Sequence, residues 1–183
     1  MNYAYFAATL PALQFDGAPA MTEEEFRARC REQMPPRHFA AVCDLLGGAR
    51  SDHPWAVAWR DRETQLRNAV AKLRAAKRHG ADPAPWLRPH GGFDVLVENG
   101  VAAAFQEPDP QRRERALDLL RWNLAGELAG HETLGAEAVF AYAVRLAILL
   151  RLAKADPAKG RERLLAIARP APGRETAPQS ASN

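Results

Sequence analysis

Apolar residues in this chain recur at helical rather than alternating spacing. Between His53 and His79, Trp55, Trp59, Leu66, Val70 and Leu73 follow one another at intervals of 4, 7, 4 and 3 residues, close to one stripe of an α-helix. Between Ala138 and Ala153 the pattern changes: Val139, Phe140, Val144, Leu146, Ile148 and Leu149, with their neighbours, reach almost every side. A helix apolar all round is one buried all round, so 138–153 is predicted to be the centre of a bundle. No run of alternating β-branched residues competes with this, and Ala, Leu, Arg and Glu, all good helix formers, dominate.

Caps and breakers divide the rest into helix-length pieces. Thr22-Glu23-Glu24-Glu25 has the form of a capping box, predicting a helix to about Gln33. Pro35-Pro36 starts the next, which Gly47-Gly48 stops. Asp52 is the expected N-cap of the helix 53–79. Gly80 closes it, with Lys77, Arg78 and His79 set against the negative end of the helix dipole. Residues 80–92 read as a long loop, and 93–106 as a weaker helix interrupted by Gly100. Asp109-Pro110 opens a helix to about Ala129, ended by Gly130, and Asp156-Pro157 repeats the device for a last one. From Pro170 onward no large apolar side chain remains to offset ordering entropy, so disorder is expected. The expected architecture is all-α: a single bundle of about six to eight helices over residues 1–169 and a disordered tail over 170–183.

Composition narrows the function classes. With 183 residues, 47% hydrophobic and 26% charged, the chain can bury a full core. A net charge of +3 makes neither nucleic acid nor an anionic membrane the default partner. Cys30 and Cys43 form no disulfide framework or zinc motif and read as two buried thiols. The run 138–153 is too short to span a bilayer and contains Arg145 and Arg151. The apolar N-terminus lacks a basic n-region and is interrupted by Pro11, so a cytoplasmic location is expected.

Catalytic motifs are not evident. There is no glycine-rich phosphate loop ending in GK[ST] and no HExxH, and His90-Gly91-Gly92 has no GxSxG elbow to accompany it. The histidines at 38, 53, 79, 90 and 131 fall on separate segments, and His131-Glu132 reads as a surface pair in a turn. No catalytic residue, cofactor or metal site is therefore expected. The polar faces of 53–79 carry seven cations against Asp61 and Glu63, and both tryptophans of that helix lie on its apolar stripe. Such a face is solvated or meets an acidic protein, in preference to nucleic acid. Arg60, Arg67, Lys72, Arg74, Lys77 and Arg78 are the candidate partner-binding residues.

Several ordered motifs carry a resemblance. Tyr3-x-Tyr5-Phe6-x-x-x-Leu10-Pro11-x-Leu13, the Phe15-Asp16 turn, Glu25-Phe26 and Cys30 come first. Trp59-Arg60-Asp61-x-Glu63-x-x-Leu66-Arg67-Asn68 and Arg121-Trp122-Asn123 follow. Ala141-Tyr142-Ala143-Val144-x-Leu146-x-Ile148-Leu149-x-Arg151 and Gly160 complete the set. In this order they resemble a bacterial family of unknown function encoded among the subunits of V/A-type ATPases. The last motif also looks like a helix of the ATPase component that caps the rotor ring, although Arg145 and Arg151 stand where more acid is the pattern. The resemblance implies a non-catalytic companion of a rotary ATPase: stalk component, rotor adaptor or assembly factor, cytoplasmic or held at the inner face of the membrane through the complex. The alternatives are a helical chaperone or adaptor for another complex, and an enzyme or nucleic-acid binder using His131, Glu132 or the basic helix.

Overall fold

The computed structural model describes residues 3–78, 81–131 and 134–154. Among them are seven α-helices, one short 3-10 turn and no strand. The helices are α1 (Tyr3–Thr9), α2 (Glu23–Gln33), α3 (Pro36–Leu45), α4 (Pro54–Ala76), α5 (Val95–Ala104), α6 (Pro110–Ala129) and α7 (Ala136–Lys154). The fold is all-α, as the periodicity predicts. The helix expected after Asp156-Pro157, the tail 170–183, and His79, Gly80 and Glu132 lie outside the described residues.

Local chemistry accounts for most boundaries. Thr22 Oγ1 accepts from the Glu25 amide at 3.2 Å, and Glu25 accepts from the Thr22 amide at 2.8 Å, completing the capping box. Those bonds favour the ionised carboxylate and hold the Glu25 pKa below its usual range. Pro36 occupies the first position of α3, where its missing N–H costs nothing. Asp109 accepts from the amides of Gln111 and Arg112 at 2.7 and 3.0 Å to open α6, and Gly130 ends it at φ +64°. Two expectations change. The cap of α4 is His53, whose Nδ1 accepts from the Trp55 amide at 3.3 Å, and not Asp52 one residue earlier. An imidazole nitrogen reaches the second helical amide as a carboxylate would, and Pro54 fixes the first turn. The N-terminal apolar stretch, given no element by its sequence, forms α1 and buries Phe6.

Apolar side chains collect in two adjoining cores. The first gathers Phe6, Phe26, Val42, Trp55 and the α7 residues Phe140 and Leu149. The second gathers Leu66 and Val70 of α4, Val97 and Val101 of α5, and Leu117 and Leu124 of α6. Trp59 packs against both. Helix α7 buries residues on nearly every side, including Val139, Phe140, Leu146 and Leu149, so it is the central element of the first core. Each such side chain contributes about 1.5–3 kcal/mol on leaving water. Among the described residues no helix is long and apolar enough to cross a membrane. The two cysteines differ: Cys30 is buried, whereas Cys43 is only half-buried.

Candidate functional site

A cleft of about 460 Å³ lies between α4, α6 and the loop that follows α4. At its base lie Leu66, Val70 and Ala75 from α4 and Leu117 from α6, all buried, with Ala71 half-buried beside them. Arg67, Arg74 and Arg78 stand along it, and Trp86 closes the loop side. Three of the candidate cations thus come together. Arg67 and Arg74 are largely exposed and paired with Glu63 at 2.9 Å and Glu114 at 3.2 Å, while Arg78 is exposed and has no ion pair among the described residues.

The other three candidates lie elsewhere. Arg60 is half-buried, bonding Asp44 and donating to the Ser51 carbonyl at 2.8 Å, so it ties α4 to the end of α3. Lys72 is exposed along α4 but does not line the cleft. The Lys77 ammonium sits 5.3 Å above the Phe105 ring, toward α5. One helix carries cations to several sides, and the charge count along the sequence does not separate them.

Beneath the cleft lies an ion network. Arg121 donates to Glu63 at 2.9 and 3.2 Å and to Asp118 at 3.0 Å, and Asp118 also receives Arg151 at 2.6 Å. Burial works against the Arg121 charge, but the two carboxylates outweigh it and its pKa is raised. Asp118 is buried with both guanidiniums as partners, so the network joins α4, α6 and α7 rather than offering a free charge.

Two buried amides on α4 set the position of Trp86. Asn68 Nδ2 donates to the Arg88 carbonyl at 2.7 Å, and Asn68 Oδ1 accepts from the Arg88 amide at 2.9 Å. One turn earlier, Gln65 makes the same two-way pairing with the backbone of Asp94, at 2.8 and 2.9 Å. Asp94 in turn caps α5 through the Leu96 amide at 2.9 Å. The 3-10 turn Ala84–Trp86 is thereby held against α4 with Trp86 62% exposed. The loop thus brings an aromatic ring beside the arginines of α4. The two polar residues inside the apolar stripe region of α4 were the available signal, since buried amides require partners.

The histidines also regroup. His38 and His53 meet edge to face with centroids 5.0 Å apart, both against Phe140, and the Tyr3 hydroxyl lies 2.6 Å from His38 Nδ1. Burial, then the neighbouring His38 and Arg37, depress the His53 pKa. His131 is exposed, and His90 lies 3.4 Å from its neighbour's carbonyl. Among the described residues no three His, Cys, Asp or Glu side chains are placed to hold a metal ion.

Comparison with known proteins gives one match. No curated protein and no solved structure matches the chain. Residues 95–169, from the start of α5 past the end of α7, match the model of a family described as protein of unknown function (DUF2764).

Proposed function

We propose that this protein is a non-catalytic helical accessory of a V/A-type ATPase, a rotor or stalk companion or an assembly factor, that acts by docking a partner in the α4–α6 cleft. The observation that carries the reading is the cleft itself: exposed arginines along it and an exposed tryptophan on a pinned loop. Exposed aromatic and arginine side chains are enriched at protein-docking surfaces. The partner class comes from the resemblance of the ordered motifs between Tyr3 and Gly160 to proteins encoded with such ATPases. In this reading the chain is cytoplasmic and reaches the inner face of the membrane only through the complex.

The test is affinity purification of the tagged chain from its native cell, with mass spectrometry of what accompanies it. Rotor or stalk subunits are expected. Recovery of a different complex in their place would make the chain an adaptor for that complex, and recovery of no partner would end the reading. The purified chain with ATP and magnesium is expected to release no phosphate above a heat-killed control.

A further inference from the structure

We propose that Arg145 of α7, seated over Trp122 and in the notch left by Gly126 of α6, anchors a binding site for one carboxylate. The site lies toward the C-terminal end of α6, apart from the α4–α6 cleft, and does not depend on what docks there.

The guanidinium is positioned before any ligand arrives. Its carbon lies 5.0 Å from the centroid of the Trp122 ring, and Nε donates to the Trp122 carbonyl at 3.3 Å. Nη2 occupies the space that a side-chain methyl at residue 126 would need. Glycine inside a helix is disfavoured relative to alanine, and the arginine accounts for its place here. Ring, hydrogen bond and notch together remove much of the freedom that a long side chain loses on binding.

The charge has no acid of its own. Among the described residues Arg145 makes no ion pair, and its Nη1 and Nη2 make no hydrogen bond. Arg151, less than two turns further along α7, shows the alternative by reaching buried Asp118 at 2.6 Å. Two carboxylates raise the pKa of Arg121, whereas burial alone acts on Arg145 and lowers it. A guanidinium keeps its proton in either setting. Arg145 is therefore a half-buried cation whose two free nitrogens match the two oxygens of a carboxylate.

The surroundings select the ligand. Arg145 lines a pocket of about 540 Å³ whose walls include Gly126, Ala129, Gly130, Ala138 and Ala141, all too short to cover the guanidinium. Asn123 adds an amide donor, and Glu127 adds an acid. A single cation with an acid nearby disfavours a phosphate dianion; a carboxylate brings one charge and two coplanar oxygens to the fork. A free small acid and an Asp or Glu side chain present the same group.

The test follows the Arg145 Nε–H and the amide signals of 126–130 by nuclear magnetic resonance in the full, isotope-labelled chain. Sodium acetate is titrated at constant ionic strength against sodium chloride, with inorganic phosphate and a doubly blocked glutamate as further probes. A saturable shift is expected with acetate and with the blocked glutamate, and a weaker one with phosphate. Arg145→Lys keeps the charge but loses the fork, and is expected to weaken acetate binding about tenfold. Gly126→Ala displaces the guanidinium and suits a helix, so it is expected to weaken binding with the helical circular dichroism unchanged. Glu127→Gln removes a like charge and is expected to tighten it. Tighter binding of the blocked glutamate than of acetate assigns the carboxylate to a protein side chain, and the reverse assigns it to a free acid. Shifts that chloride reproduces, or that do not saturate, overturn the proposal. So do phosphate binding more tightly than acetate and acetate binding that Gly126→Ala leaves intact. An Arg145 signal that Glu127→Gln displaces strongly without acetate also overturns it, because Glu127 would then already hold the guanidinium.

Discussion

Asn68 and Arg88 are joined side chain to backbone, with the Asn68 amide group donating to the Arg88 carbonyl and accepting from its N–H. The pair fixes the loop at the residue two beyond Trp86. Asn68→Ala removes both bonds and leaves two backbone groups to find water. A loss of about 1–3 kcal/mol is expected. Hydrogen exchange is expected to quicken at 84–90 while α7 stays protected, which a mass-spectrometric exchange time course reads directly. Unchanged exchange in the loop would mean that Pro83, Pro85 and Pro89 hold it unaided.

Leu149 is 1% exposed on the central helix. Leu149→Ala is expected to cost about 2–5 kcal/mol, the range for emptying a large aliphatic site in a packed core. Denaturant titration gives the figure. A loss below about 0.5 kcal/mol would contradict the burial of this face.

His53 links stability to pH. Its pKa is lowered in the folded protein by burial and by the nearby His38 and Arg37, opposed by Glu137 and Asp52. The folded state therefore binds its proton less readily than the unfolded chain, for which about 6.5 applies. Its contribution is complete above that value and is lost as pH falls from there through the lower folded pKa. Protonation also removes the Nδ1 lone pair that caps α4. The melting temperature is expected to fall between about pH 7.5 and 5.5, and His53→Asn, which retains a capping oxygen, is expected to flatten that slope. The capping carboxylates Glu25 and Asp109 have lowered pKa values and titrate in a more acidic range.

The two thiols are expected to differ in reactivity. Burial pushes the Cys30 pKa up to about 12, with the adjacent Cys43 adding to the effect. A thiolate is the reactive form, so Cys30 is protected twice, by access and by charge. Iodoacetamide at neutral pH is expected to modify Cys43 first and Cys30 only after denaturation, as peptide mass spectrometry would record. Equal labelling in the folded protein would refute this.

Much of the fold is legible where the signal is local. Thr22 and Glu25 declare a helix start within four residues, Asp109 and Gly130 bracket α6, and the all-round apolarity of 138–153 marks the central helix. The candidate site is legible only in part, because it is made by residues distant in sequence. Arg67, Arg74 and Arg78 can be found by charge, but the sequence does not say that Arg60 turns to Asp44 or that Lys77 lies over Phe105. Trp86 reaches the cleft through hydrogen bonds from Asn68 to a backbone 20 residues away. His38 and His53 meet because α3 and α4 fold against Phe140, a tertiary relationship that spacing does not carry.

Trp59 lies between the two cores, and α4 and α6 both contribute side chains to each. Trp55 and Leu66 belong to one helix, and so do Trp122 and Leu117, yet each pair is divided between the cores. Neither core can melt alone without fraying a continuous helix in its middle, where hydrogen bonds are lost and no turn is available to absorb the break. The boundary between the two is thus an expensive place to stop unfolding, and the molecule behaves as one cooperative unit despite its two centres of burial. Tryptophan fluorescence and far-ultraviolet circular dichroism are accordingly expected to trace a single shared denaturation curve.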